Sequence, residues 1–310
     1  MQDRARTGSI VILGIFVADT AFRAARQPRM GETILGSGFA LGPGGKGSNQ
    51  AVAAARAGGE VHFITRIGPD AFGDMALRTW EDAGVTAHAI RAPRSTTGAA
   101  CIFLDEKTGD NAIIVYPGAA GQIVPADLDA QATLIGGAAV FVTQLEQPMD
   151  AAMRGLRLAR ESGARTILNP APAAPLPDGM LALCDFVTPN ESEAEALTGM
   201  PVRTTQDAAR AARRLREMGA RAAIVTLGEK GALYDDGLRS VHVPAFDAGA
   251  VVDTTGAGDA FNGGFATALA NGADPVEAVR FGCATAAVSV TRPGAAEAMP
   301  NIGEIRSILE

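Results

Sequence analysis

VVDTTGAGDAFNGGF, residues 251–265, puts Gly256, Ala257 and Gly258 directly before a stretch that reads as helix from about Asp259. A helix N-terminus exposes N–H groups that have no partner inside the helix, and it carries positive partial charge, so it is an anion site. Glycine lets the backbone approach a phosphate closely. A carboxylate in the first turn, at Asp259, stays ionised in that field. It can take a proton from an attacking hydroxyl while the loop amides hold a transferred phosphoryl group. Taken alone, the segment also admits Asp259 as a plain capping residue.

Upstream lies a second glycine cluster, LGPGGKGSNQAV, residues 41–52. A P-loop requires Ser or Thr directly after its lysine, and Lys46 is followed by Gly47, so that template fails. The dinucleotide fingerprint fails as well, because the first strand-like run supplies only Gly14, and a Rossmann oxidoreductase is excluded. What remains is a glycine-rich turn entering a helix, with Lys46 and Asn49 as its polar groups.

Between and around these clusters, short β-rich runs alternate with Ala- and Arg-rich helical runs, the pattern of βαβ units on a parallel sheet. SIVIL (9–13), VHFITRIG (61–68), AAVFVTQLE (138–146), RTILNPAP (165–172), DFVTPN (185–190) and RAAIVTLG (221–228) read as strands. Residues 49–59, 71–84, 149–163, 191–199, 204–220, 258–272 and 275–290 read as helices, and 231–243 as a hairpin. Two stretches, 19–40 and 95–115, lack helical periodicity. They read as strands outside the main sheet, or else as surface loops or an edge hairpin. The expectation is one α/β domain over residues 1–310 with a small β element inserted.

The 310 residues carry a net charge of −7, which argues against a nucleic-acid or membrane-surface binder and leaves any anion site to local geometry. Cys101, Cys184 and Cys283 lie far apart and read as small apolar residues in a reducing compartment. The apolar run 10–17 is too short to span a membrane, and a cytoplasmic protein is expected.

GGKGSNQA and DTTGAGDAFNGG, about 200 residues apart with TPNESEAEALTG and TLGEKGA between them, resemble the ordered signatures of the ribokinase (PfkB-type) carbohydrate kinase family. The similarity runs along essentially the whole chain. It implies a ribokinase-like α/β fold: a central, mostly parallel sheet flanked by helices, with a small β-sheet lid through which a homodimer forms. It implies ATP-dependent phosphorylation of a sugar hydroxyl, most simply ribose. Asp259 then falls on the catalytic base and Gly256, Ala257 and Gly258 on the anion hole. Asp19, Gly45, Lys46, Gly47, Ser48, Asn49 and Glu146 fall on the sugar site. Asn190 and Glu193 match an Asn-x-x-Glu pattern associated with Mg²⁺ and phosphate, and equally form a capping box; both readings can hold together. Thr226, Leu227, Gly228, Glu229, Lys230 and Gly231 match the nucleotide loop. A monovalent cation, K⁺, would sit by Asp253, Thr255, Ser289, Arg292 and Gly294, mostly on backbone carbonyls.

Two positions depart from that pattern. Ala298 falls where a serine can serve the cation, and Val17 falls where ribokinases carry an asparagine that hydrogen-bonds the sugar. Another sugar, a deoxysugar or a nucleoside therefore stands as an alternative substrate, and a sugar-binding sensor without catalysis as an alternative of another class. Aromatics at 5% give little to stack a nucleobase.

Overall fold

The protein is described here by a computed structural model covering residues 8–310. Strand β1 (Ile10–Leu13) is IVIL, with all four side chains buried. Side chains alternate across a strand. Ile10 and Ile12 accordingly enter one apolar core, and Val11 and Leu13 a second. This explains the continuous apolar runs: a parallel sheet covered on both faces needs them.

The remaining strands are β2 (Val17–Ala24), β3 (Gly38–Gly44), β4 (Val61–Ile67), β5 (Thr86–Arg91), β6 (Thr97–Asp105), β7 (Asn111–Gly118), β8 (Val140–Thr143), β9 (Arg165–Leu168), β10 (Phe186–Val187), β11 (Ala222–Thr226), β12 (Ala232–Asp235) and β13 (Ser240–Val243). Nine of them form one sheet in the order β13-β12-β11-β10-β9-β8-β1-β4-β5. All neighbours are parallel except β12, which runs against both β11 and β13.

The helices are α1 (Lys46–Arg56), α2 (Ala71–Ala83), α3 (Pro125–Asp129), α4 (Ala132–Gly137), α5 (Met149–Glu161), α6 (Glu191–Thr198), α7 (Thr205–Glu217), α8 (Ala257–Ala270), α9 (Pro275–Ser289) and α10 (Ile302–Leu309). Helices α1, α2, α8 and α9 cover the first core; α5 and α7 cover the second. Trp80 of α2 is fully buried between Phe16 and Phe63. The cysteines are all free. No helix among the described residues is long and apolar enough to cross a membrane.

The other four strands make a separate sheet, β3-β2-β6-β7. The aperiodic stretches at 19–40 and 95–115 are thus strand pairs, at 17–24 with 38–44 and at 97–105 with 111–118. Strand β5 and helices α3, α4 and α10 are additions to the elements read from sequence. For α10 a signal was present: Asn301 and Glu304 form a reciprocal capping box.

Candidate active site

The site is built where β9, β10 and β11 end and where two helices begin without caps. Helices α1 and α8 start on Gly45 and Gly256, whose φ values are 92° and 75°, and neither start has a side-chain cap. Only glycine takes that conformation cheaply. At Gly45 a Cβ would also lie 2.5 Å from the Ile15 carbonyl oxygen, so the turn has no room for one. Lys46 N–H donates to Glu146, Ser48 N–H to the Ile15 carbonyl and Ala257 N–H to the Thr254 carbonyl, which leaves the N–H groups of Gly47, Gly258 and Asp259 without a partner among the described residues.

Asp259 lies in the first turn of α8 and is 6% exposed. It does not cap its own helix. Its Oδ2 accepts from Asn49 Nδ2 at 3.0 Å and its Oδ1 from Gln50 Nε2 at 3.0 Å. Burial pushes its pKa up, against the pull of the Lys46 charge and those two amides. Gln50 is fixed in turn: its Nε2 also donates to Asn169 Oδ1 at 3.1 Å, and its Oε1 accepts from Gln144 Nε2 at 2.6 Å. Asn169 donates to the Thr188 carbonyl, Thr188 Oγ1 to Asn262 Oδ1, and Asn262 to the Gly258 carbonyl. A chain of buried amides and hydroxyls thus ties α1, the ends of β8, β9 and β10, and α8 into one rigid unit.

Above it opens a cleft of about 150 Å³ bounded by Lys46, Asn190, Glu193, Thr226 and the turn Gly256–Asp259. Lys46 is largely buried there. Burial lowers its pKa, but Asp259, Glu146 and Glu193 together outweigh that and hold it above the ordinary lysine value. The cleft combines two helix N-termini, one ammonium and one oriented carboxylate. It can hold an anionic group and deprotonate a hydroxyl beside it.

The pfkB family carbohydrate kinase model matches residues 7–302. The chain belongs to the PfkB carbohydrate kinase family. Over 303 residues it is 37% identical to a ribokinase of Haemophilus influenzae, covering 97% of this chain and 98% of that one. Over 302 residues it is 38% identical to a deoxyribokinase of Salmonella typhi, with the same coverage. A solved structure of Arabidopsis thaliana ribokinase complexed with ribose and ATP superposes with a TM-score of 0.93 at 30% identity, covering 98% and 99% of the two chains. The protein is an ATP-dependent carbohydrate kinase with the ribokinase-like fold, and the four-stranded sheet is the lid.

Around the N-terminus of α1, the PfkB fold gathers most of the sugar-site residues expected from sequence. Glu146 Oε2 accepts from the Lys46 backbone N–H at 2.8 Å. Burial raises its pKa to about 7, helped by Asp259 and Asp19 and opposed by Lys46. Asp19, on β2 of the lid, lies against Gly44, where a Cβ would come within 2.2 Å of its carboxylate; burial raises its pKa to about 6. Gly47 packs on Gly14, where a Cβ on Gly47 would fall 2.6 Å from the Gly14 Cα. Ser48 faces away from the cleft: it is fully buried and its hydroxyl accepts from Trp80 Nε1 at 2.9 Å.

Asn190 and Glu193 form the capping box of α6, each side chain accepting from the other's N–H at 2.9 Å, and both also line the cleft. Of the segment 226–231, Thr226 lines the cleft, Leu227 enters the second core, and Glu229 and Lys230 are exposed. Gly228 and Gly231 turn the chain with φ of 54° and 92°.

Asp253 joins two loops, accepting from Thr255 N–H and Gly294 N–H, both at 2.9 Å. Arg292 is paired with Glu304 at 2.6 Å, and Ser289 donates to the Ala286 carbonyl. Sequence reading missed Gln50, Gln144, Asn169, Thr188 and Asn262. Each follows or adjoins a strand end or a quoted motif, and that adjacency was the only local signal.

Proposed function

We propose that this kinase transfers the γ-phosphoryl group of ATP to the primary hydroxyl of ribose, giving ribose 5-phosphate and ADP. The observation that carries the reading is Asp259, a buried carboxylate with both oxygens held by amides, at the mouth of an uncapped helix N-terminus. Asp259 takes the hydroxyl proton as the sugar oxygen attacks the γ-phosphorus. The bond from that phosphorus to the β–γ bridging oxygen breaks, and ADP leaves with the electron pair. The N–H groups of the turn Gly256–Gly258, of which that of Ala257 also donates to the Thr254 carbonyl, and the Lys46 ammonium would offset the charge on the transferring group. Asp19, Gly45, Lys46, Asn49 and Glu146 would orient the sugar, and the segment 226–231 the nucleotide.

Mg²⁺ suits the corner of Asn190 and Glu193. Glu193 Oε2 is engaged by the Asn190 N–H, and among the described residues no cluster of three or more His, Cys, Asp or Glu could hold a metal by itself. Few protein ligands with waters and phosphate oxygens are what Mg²⁺ accepts, and when bound it neutralises phosphate charge. For K⁺, Asp253 holds the loops 253–255 and 289–294 together through the N–H groups of Thr255 and Gly294, and backbone carbonyls of these loops would supply most of the ligation.

A second reading, phosphorylation of 2-deoxyribose, is favoured by Val17. It is buried two residues before Asp19 on β2, packs where a Gly98 Cβ would be 2.9 Å from its Cγ1, and offers no hydrogen bond. A buried hydroxyl left unpaired costs about 1–3 kcal/mol, so a sugar lacking one would be preferred. The test is ADP release on ribose, 2-deoxyribose, hexoses and nucleosides with Mg²⁺, with and without K⁺, for wild type and Val17→Asn. Higher kcat/KM on ribose supports the first reading. Preference for deoxyribose that Val17→Asn shifts toward ribose supports the second. Turnover of neither pentose sinks both.

A further inference from the structure

A second and larger cavity, of about 610 Å³, opens at the opposite end of the sheet. It lies where β9, β10 and β11 begin, whereas the catalytic cleft lies where they end, at Asn169, Thr188 and Thr226. Four arginines line it: Arg160 from the last turn of α5, Arg165 opening β9, Arg221 just before β11 and Arg239 before β13.

These four are not alike. Arg239 is committed, with Nη1 donating to both oxygens of Asp274 at 3.0 Å and Nε to Asp236 at 3.3 Å. Arg160 and Arg221 instead approach the same oxygen of Asp185, at 3.8 and 3.6 Å, beyond a well-formed hydrogen bond. The other Asp185 oxygen already accepts from the Thr166 N–H at 3.0 Å. Arg165 makes no ion pair among the described residues. Two solvent-accessible guanidiniums thus share a single carboxylate and a third has none, in a chain whose net charge is −7.

We propose that this cavity binds a small phosphorylated ligand, whose phosphate is held by Arg160, Arg165 and Arg221. A guanidinium presents its donors as a planar fork that matches phosphate oxygens two at a time. The volume is that of a site for one small molecule. A sugar phosphate and a nucleotide share the recognised group. The proposal is independent of how the catalytic cleft is read.

Isothermal titration of the full chain with sodium pyrophosphate, comparing wild type with the double variant Arg160→Ala/Arg221→Ala, tests it. Any affinity of the catalytic cleft is common to both proteins and cancels. Wild type is expected to take up one more pyrophosphate per chain, at a site weakened at least about tenfold in the double variant, the loss of one charge-assisted pair. Turnover of sugar should be unchanged. Arg165→Ala, which breaks no ion pair, is the second variant and should weaken the same site. Equal stoichiometry and affinity in all three proteins overturns the proposal. Repeating the comparison with ribose 5-phosphate and with ADP distinguishes the sources. A difference seen with pyrophosphate but with neither metabolite means an adventitious ion only, and also overturns it.

Discussion

Asp259 is held by two amides and yet has a pKa pushed upward by burial. Replacing it by asparagine keeps the shape and removes the proton acceptor. Asp259→Asn should leave the melting temperature within a few degrees and ATP binding nearly intact, while kcat falls about 10²–10⁴-fold, the usual worth of a positioned base. Because folding raises the pKa, the working carboxylate is lost on acidification earlier than for an ordinary aspartate. Wild-type kcat/KM should therefore fall as pH drops, with Asp19 and Glu146, raised to about 6 and about 7, adding to the same limb, and the limb should become shallower in the variant as the Asp259 titration is removed. A loss of less than tenfold would mean that Asp259 only supports the cleft. The place of Asp259 at a glycine-rich helix start was legible because the motif is contiguous: glycines, carboxylate and helix start occupy a few residues. Gln50, Asn169, Thr188 and Asn262 were not, since they meet only after four elements pack. In sequence Gln50, Thr188 and Asn262 stand inside the quoted motifs and Asn169 ends a strand-like run, with nothing local to show that they meet.

At the scale of elements, the start of α8 separates two glycines that look equivalent in the sequence. Gly256 has φ of 75°, and a Cβ there would sit 3.0 Å from the Ala295 Cβ. Gly258 is helical, and a Cβ there would meet nothing within 4 Å while the residue borders the cleft. The two alanine substitutions should therefore act in opposite directions on stability. Gly256→Ala should cost about 1–2 kcal/mol in urea unfolding, the price of a left-handed non-glycine residue. Gly258→Ala should be neutral or stabilise by up to about 1 kcal/mol through helix propensity, yet lower kcat because its methyl occupies the space of the transferring phosphoryl group. If Gly258→Ala keeps full turnover, that group does not pass there. The alternation of strands and helices was legible for the same reason as the motif, being local. Strand β5, at the edge of the sheet, was not: TAHAIR is only partly buried and carries no apolar alternation strong enough to mark it.

For the whole molecule, the lid poses the remaining question, because its outer face is apolar and exposed. Phe22 pairs with Phe39 across β2 and β3, ring centroids 5.0 Å apart, and Leu41, Ile114 and Tyr116 extend the same face. Ile114 is 74% exposed. A contiguous patch of this kind marks an interaction surface, and a four-stranded sheet hides one face most simply against a copy of itself. Asp19 alternates with Thr20 and so lies on the opposite, inner face of β2. Two lids can therefore pack back to back without covering the carboxylate proposed to bind the sugar, and the contact would brace β2 from behind. The expectation is a homodimer in sedimentation at micromolar concentration. Ile114→Glu should weaken it about 100-fold or more, since an unpaired carboxylate in apolar contact costs several kcal/mol. KM for the sugar should rise in the same variant while KM for ATP, proposed to bind along the main sheet, stays nearly constant. A wild-type chain that sediments as a monomer throughout would remove this interface, and a dimer indifferent to Ile114→Glu would place it elsewhere on the molecule.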